Sequence, residues 1–154
     1  MISTVERVLF LKSVELFSHI PGEDLAQVAA IAQEVNFEKG ALVIQEGEVG
    51  DSMYLVVEGE VMIHKLGQTI THLGEREAFG EMALLDNEPR SASVTAVRDT
   101  TCLKIDRDDF YELMSEKVEI AHGIIRVLTQ RLRQADRQLS ARAGDTSRSN
   151  ASAS

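Results

Sequence analysis

Residues 41–80 read ALVIQEGEVGDSMYLVVEGEVMIHKLGQTITHLGEREAFG, and this stretch decides the fold. Glycine recurs at 40, 47, 50, 59, 67, 74 and 80, seven of the ten in the chain. Between them lie ALVIQE, SMYLVVE, EVMIHK and QTITHL, short segments rich in β-branched and aliphatic residues. Strands this short, divided by turns at this interval, predict an antiparallel sandwich or barrel. Glu58-Gly59 is expected to be a tight hairpin turn between its two strands, and Leu66-Gly67 another. Two further strands are expected near Ser93–Arg98 and Thr101–Ile105.

Helical periodicity flanks this region on both sides. Pro21 suits the first turn of a helix through EDLAQVAAIAQEV, which puts Leu25, Val28, Ala29 and Ala32 on one face. Asp106 is placed to cap a helix through RDDFYELM. A longer helix follows, from Val118 to Leu139. Along it Val118, Ala121, Ile125, Leu128, Leu132, Ala135 and Leu139 keep alternating spacings of three and four, an a/d heptad seam. Packing against the chain's own barrel would satisfy the first half of that seam. The second half, RLRQADRQLSAR, has a stripe narrow enough to suit a partner helix. The expected organisation is one domain over residues 1–139: helices in 1–34, a β-roll in 35–105 and C-terminal helices in 106–139. The remaining residues, 140–154, are small, polar and aperiodic, and are expected to be a disordered tail.

Composition narrows the function. The 154 residues, 44% of them hydrophobic, can bury the core of one ordinary domain. No apolar run approaches the ~18–20 residues of a membrane span. The N-terminal segment lacks a signal peptide's apolar stretch, so a cytoplasmic protein is expected. With 16 basic and 25 acidic residues the net charge is −9. That disfavours nucleic-acid binding, which needs a basic face, but not a small anion needing one or two donors. The single cysteine, Cys102, offers neither a disulfide nor a thiolate cluster and is expected to be buried. His64 and His72 form no H-x-H pair, no phosphate-binding G-x-x-x-x-G-K run occurs, and no serine has a nucleophile context. Neither a catalytic residue nor a metal ligand is assigned, and an enzyme is not expected.

Directly after residue 78 the chain reads FGEMALLDNEPRSASV. Gly80 can open a short helical turn whose first N–H groups face a ligand. Glu81 can accept hydrogen bonds from hydroxyl groups, and Arg90 presents a planar fork matched to phosphate oxygens. Ser91, Ala92 and Ser93 leave room beside it. Two arrangements satisfy these residues: a ligand with a sugar hydroxyl at one end and a single phosphate at the other, or a Glu81–Arg90 ion pair over a loop.

The pattern G-E-x-A-L followed by P-R-S-A resembles the phosphate-binding cassette of the cyclic-nucleotide-binding domains. That family includes the catabolite activator protein, the regulatory subunits of cyclic-AMP-dependent kinase and nucleotide-gated channels. The likeness extends through LVIQEGEVGDSMYLVVEGEVMI and LFSHIPGEDLAQVA, and covers roughly residues 16–132. It implies that Glu81 holds the ribose 2′-hydroxyl with help from the Gly80 and Ala83 N–H groups. It implies that Arg90 pairs with the cyclic phosphate, assisted by Ser91, and that Arg131 on the long helix approaches the ligand. Ala135 stands near where the family places a hydroxyl against adenine, and the helix has no aromatic residue to stack on a base. Lid contacts would therefore fall to Ile124, Ile125, Leu128 or Arg131. Ser91 occupies a position where members preferring cyclic GMP often carry threonine, so cyclic AMP is favoured while cyclic GMP stays open.

The resemblance implies a stand-alone cyclic-nucleotide sensor, with the long helix Val118–Leu139 passing its signal to a second copy or an unidentified effector protein. The transcriptional members continue into a helix-turn-helix, and the tail of about fifteen residues is too short for one, so no DNA binding is expected. The alternatives are a β-roll scaffold that binds no nucleotide, and a fragment or subunit of a larger regulator.

Overall fold

The computed structural model describes residues 2–153, with side chains for residues 2–144. Two helices come first, α1 (Thr4–Lys12) and α2 (Gly22–Ile31), with a 3₁₀ turn at Glu15–Phe17 between them. Eight strands follow: β1 (Gln33–Phe37), β2 (Leu42–Ile44), β3 (Ser52–Glu58), β4 (Val61–Lys65), β5 (Gln68–Leu73), β6 (Ala78–Phe79), β7 (Ser93–Ala96) and β8 (Thr100–Asp106). A second 3₁₀ turn, Glu81–Leu84, interrupts them, and α3 (Arg107–Glu116) and α4 (Val118–Ala153) close the chain.

The strands form two four-stranded antiparallel sheets, ordered β1-β8-β3-β6 and β2-β7-β4-β5. The expected antiparallel barrel is thus a jelly-roll, with helices at both ends. The first sheet is covered on both faces. Alternation along β3 sends Met53 and Leu55 to the helical side and Tyr54 and Val56 into the roll, and β8 does the same with Leu103 and Ile105 against Cys102. The larger core joins this sheet to Leu11, Phe17, Leu25, Val28, Phe110, Ile120, Ile124 and Val127 from the helices. A smaller core fills the roll, with Ile44, Val56, Val61, Phe79, Val94 and Cys102. Cys102 is fully buried, and burial pushes its thiol up to about 12, which keeps it un-ionised.

Several sequence expectations change. Leu66 and Gly67, at φ 52° and 78°, make the expected two-residue turn joining β4 and β5. The Glu58-Gly59 turn is not a hairpin, because β3 and β4 lie in different sheets. The chain changes sheet there. Gly59 (φ 109°) allows it: a β-carbon would come within 2.5 Å of Thr100 Oγ1 and 2.7 Å of the Asp99 carbonyl. The turn is tied to the β7–β8 loop, with the Val97 N–H donating to Glu60 O and the Glu60 N–H to Thr100 Oγ1.

The first helical region ends earlier than residue 34. Ala32 is already extended, and Gln33–Phe37 pairs with β8, so the roll begins at Gln33. Asp106 occupies the N-cap position of α3 without a capping bond from its side chain. Its carboxylate instead accepts the Ser52 hydroxyl at 2.7 Å, a tertiary bond that competes with the local one. The final helix continues past Leu139 to Ala153, through the segment expected to be a disordered tail. No proline interrupts 140–153, and Ala141, Arg142 and Ala143 are good helix formers.

The orientation of α4 separates two stripes. Ile120, Ile124 and Val127 are buried against the domain, and Gly123 lies against the His19 carbonyl. Val118, Ile125, Leu132 and Leu139 are 57–64% exposed. The heptad row is therefore mostly separate from the row that packs on the domain; of its members, Leu128 is partly buried against the larger core. Ile124, expected as a lid residue, is buried in the larger core, on the face of α4 that meets α3 and the Glu15–Phe17 turn.

Candidate ligand site

The site grows from two segments that the sequence places ten residues apart. Gly80, at φ 75°, turns the chain from β6 into the 3₁₀ turn. The Ala83 N–H donates to Gly80 O at 3.1 Å, so it is already bonded within the turn. The amides with no acceptor inside the turn are those of Glu81 and Met82. Residues 89–90 then run antiparallel to 47–49: Val49 bridges Pro89, the Arg90 N–H donates to Glu48 O, and the Gly47 N–H donates to Arg90 O.

This pairing delivers the Arg90 side chain. Its Nη2 donates to Ser52 O at 2.6 Å and its Nη1 to Gly80 O at 3.3 Å. The expected alternative, a Glu81–Arg90 ion pair, is not what holds it; both bonds go to backbone carbonyls. Burial lowers the Arg90 pKa, with neighbouring Arg107 acting in the same direction against Tyr54 and Asp51. A partly desolvated guanidinium fixed on two neutral carbonyls, with no carboxylate bonded to it among the described residues, can still pair with an anion.

Between the turn and Arg90 lies a cavity of about 380 Å³. Gly80, Glu81, Ala83, Arg90 and Ser91 all line it, and Ile44, Ile63, Phe79 and Val94 supply apolar walls from β2, β4, β6 and β7. The volume is near the lower end of the ~300–1,000 Å³ of ligand pockets, which suits one small ligand. Phe79 is backed by Tyr54, stacked at 5.3 Å between ring centres, and burial raises the Tyr54 pKa.

Arg131 does not line the cavity. Its Nε bonds to Glu15 Oε1 at 3.2 Å, and its Nη1 lies 3.9 Å from the sulfur of Met82, which does line it. Ile125 and Leu128 are also outside the lining. The two strand histidines are occupied elsewhere, His64 with Thr95 and His72 with Glu60. Sequence reasoning missed Ser52 and Gly50, which receive Arg90, and Asp86 and Glu88 at the rim. The glycine at 50 was a signal, but its partner lies 40 positions away and no local pattern names it.

The sequence profile described as "Cyclic nucleotide-binding domain" matches residues 34–117. A Cyclic AMP receptor protein of Thermus thermophilus is 36% identical over 84% of this chain and 62% of its own length. A cAMP-dependent protein kinase regulatory subunit of Dictyostelium discoideum is 33% identical over 68% of this chain and 34% of its own. The chain thus spans less than two thirds of either relative. The crystal structure of the N-terminal domain of a transcriptional regulator from Streptomyces coelicolor superposes with a TM-score of 0.80 at 28% identity, covering 84% of this chain and 94% of that one. With more than half of its length matched by the profile, the chain belongs to the cyclic nucleotide-binding domain family.

Proposed function

We propose that this domain is a sensor that binds cyclic AMP in preference to cyclic GMP, and is not an enzyme. The observation that carries it is Arg90, anchored on Ser52 O and Gly80 O beside a single-ligand cavity. The cavity also carries Glu81, Asp86 and Glu88. One guanidinium among three carboxylates favours an anion of single charge rich in hydroxyl groups, as a cyclic phosphodiester is, over a dianionic phosphate. Glu81 accepts the ribose 2′-hydroxyl, and Arg90 and Ser91 take the phosphate. Arg131 approaches from α4 once it leaves Glu15. The names of the two relatives support cyclic AMP as the ligand.

On the same reading the signal leaves through α4, whose exposed row Val118, Ile125, Leu132 and Leu139 suits a second copy of this chain. Output then rests with an effector on a partner polypeptide. Among the described residues no helix is long and apolar enough to cross a membrane. One unpaired cysteine suits work in the reducing cytoplasm. Calorimetry with cyclic AMP and cyclic GMP on the purified protein tests the ligand: one saturable site, tighter for cyclic AMP, is expected. Absence of heat and of competition with either nucleotide would refute it.

A further inference from the structure

A second arginine stands behind the site and does not itself line the cavity. Arg107 opens α3, and its backbone N–H donates to Asp51 O at 2.7 Å. One nitrogen of its guanidinium, Nη1, faces three carbonyls: Asp86 O at 2.7 Å, Ala83 O at 3.2 Å and Gly50 O at 3.4 Å. One helical turn later the Tyr111 hydroxyl donates to Leu85 O at 2.8 Å. Two side chains of α3 thus satisfy three of the four carbonyls from residue 83 to residue 86, where the 81–84 turn ends; Leu84 is the exception. Such groups lack partners within a short helix.

The placement of Gly50 gives this clamp its consequence. Arg90 lies against the Gly50 backbone and bonds Ser52 O, while Arg107 holds Gly50 O and Asp51 O. Residues 50–52 are therefore gripped by both arginines, and Arg107 grips the turn as well. Without the Arg107 side chain the turn would keep the burial of Leu84 in the larger core, its 3₁₀ bonds, the Tyr111 contact and the Arg90–Gly80 bond, but its Ala83 and Asp86 carbonyls would lose their link to Gly50 O. A cyclic phosphate joined to a ribose is rigid, so its two ends need a fixed separation between Glu81 and the Arg90 fork.

We propose that Arg107 is a positioning residue for the ligand site, acting through Gly50 O, Ala83 O and Asp86 O to set the separation between the 81–84 turn and Arg90. It rests on the nucleotide-binding function proposed above, but its effect on the turn exists without ligand. Tyr111 supports the same turn from the same helix.

The test uses the full chain with Arg107→Gln, Arg107→Lys and Tyr111→Phe. Calorimetry with cyclic AMP and its 2′-deoxy analogue is paired with hydrogen exchange over residues 81–86 in the ligand-free proteins. Arg107→Gln should weaken cyclic AMP by about tenfold, as for lost bonds to sequestered carbonyls, and should shrink the preference for the 2′-hydroxyl. Exchange over 81–86 should quicken, and Arg107→Lys should recover part of both effects. A merely structural role would lower the melting temperature without moving the 2′-hydroxyl preference. Folded Arg107→Gln with native affinity and native exchange would overturn the proposal. Should that variant not fold, native affinity and exchange in both Arg107→Lys and Tyr111→Phe would overturn it. If the native protein binds neither nucleotide, the function proposed above fails, and the exchange over 81–86 still decides whether Arg107 fixes the turn.

Discussion

The guanidinium of Arg90 lies so close to the backbone of Gly50 that a β-carbon at position 50 would overlap its Nε, Cζ and Nη2 atoms. Gly50 has no left-handed backbone angle to justify a glycine. It is the space for Arg90 that requires one. Gly50→Ala should therefore fold with an acceptable backbone yet displace Arg90 from Ser52 O and Gly80 O. Loss of these bonds should lower stability by about 1–2 kcal/mol, measured by denaturant unfolding. Nucleotide affinity should fall by roughly the amount expected for losing a charge-assisted pair, ~2–4 kcal/mol. Native affinity in this variant would separate Arg90's placement from ligand binding.

Arg90→Lys keeps the charge and loses the fork. An ammonium group can meet Ser52 O or Gly80 O, but it cannot also present two parallel donors to a phosphate. The expected loss in binding is ~2–4 kcal/mol, with circular dichroism and melting close to the native protein. If this variant binds as tightly as the native chain, Arg90 does not hold the phosphate.

Glu81 is read as the acceptor of the ribose 2′-hydroxyl. A 2′-deoxy cyclic nucleotide should bind the native protein more weakly by about 1.5–3 kcal/mol, the worth of a hydrogen bond to a charged group. In Glu81→Ala the difference between the two nucleotides should nearly vanish, because the acceptor is already gone. An equal penalty in both proteins would remove Glu81 from the site.

The exposed heptad row predicts self-association through α4. Ile125 and Leu132 are 58% and 64% exposed, so Ile125→Glu with Leu132→Glu should leave monomer stability within about 0.5 kcal/mol per site. These changes also spare the Arg131–Glu15 and Gln130–His19 contacts, which truncation after Gln130 would disturb. Sedimentation should show the native chain associating and the double variant monomeric. Nucleotide should shift the native association, since the coupling is reciprocal. A native chain that stays monomeric at high concentration, with and without nucleotide, would leave α4 without this role.

Gly123 sits where α4 crosses the segment before α2. A β-carbon there would come within 2.9 Å of the His19 carbonyl oxygen and 3.0 Å of Ile20 Cγ1. Alanine would gain about 1 kcal/mol in helix propensity, against roughly 1–3 kcal/mol for overpacking onto a backbone atom. Gly123→Ala should thus be neutral to destabilising by about 2 kcal/mol. A rise in melting temperature would show that α4 slides freely on that segment.

Much of the domain is legible in the order of its residues, where the determining forces are local. Leu66-Gly67 specifies its hairpin because two positive φ angles in sequence leave few other turns. Gly80 followed by Glu81–Leu84 specifies the short turn because one left-handed residue must precede it. The strands over 52–58, 61–65 and 68–73 follow from their side chains, since β-branched and aliphatic residues favour the pleat wherever it lies. Arg90 stands out because a lone arginine among small residues is rarely left uncovered.

What only the tertiary structure decided involves choices between partners far apart in the chain. Glu58-Gly59 looks like Leu66-Gly67, yet one changes sheet and the other closes a hairpin. The difference lies in Thr100, packed against Gly59 from 41 positions away. Val118 and Ile120 each begin an apolar row on α4 with helical spacing, and which row meets the domain is set by the surface waiting for it. Arg90 finds its carbonyls on Ser52 and Gly80, and Arg107 finds its own on Gly50, Ala83 and Asp86, because the fold brings these neutral acceptors to each guanidinium, although Asp106 and Asp108 flank Arg107 in the chain. Local sequence sets the backbone angles available to each segment; the burial of distant surfaces against one another selects which pairing those angles serve.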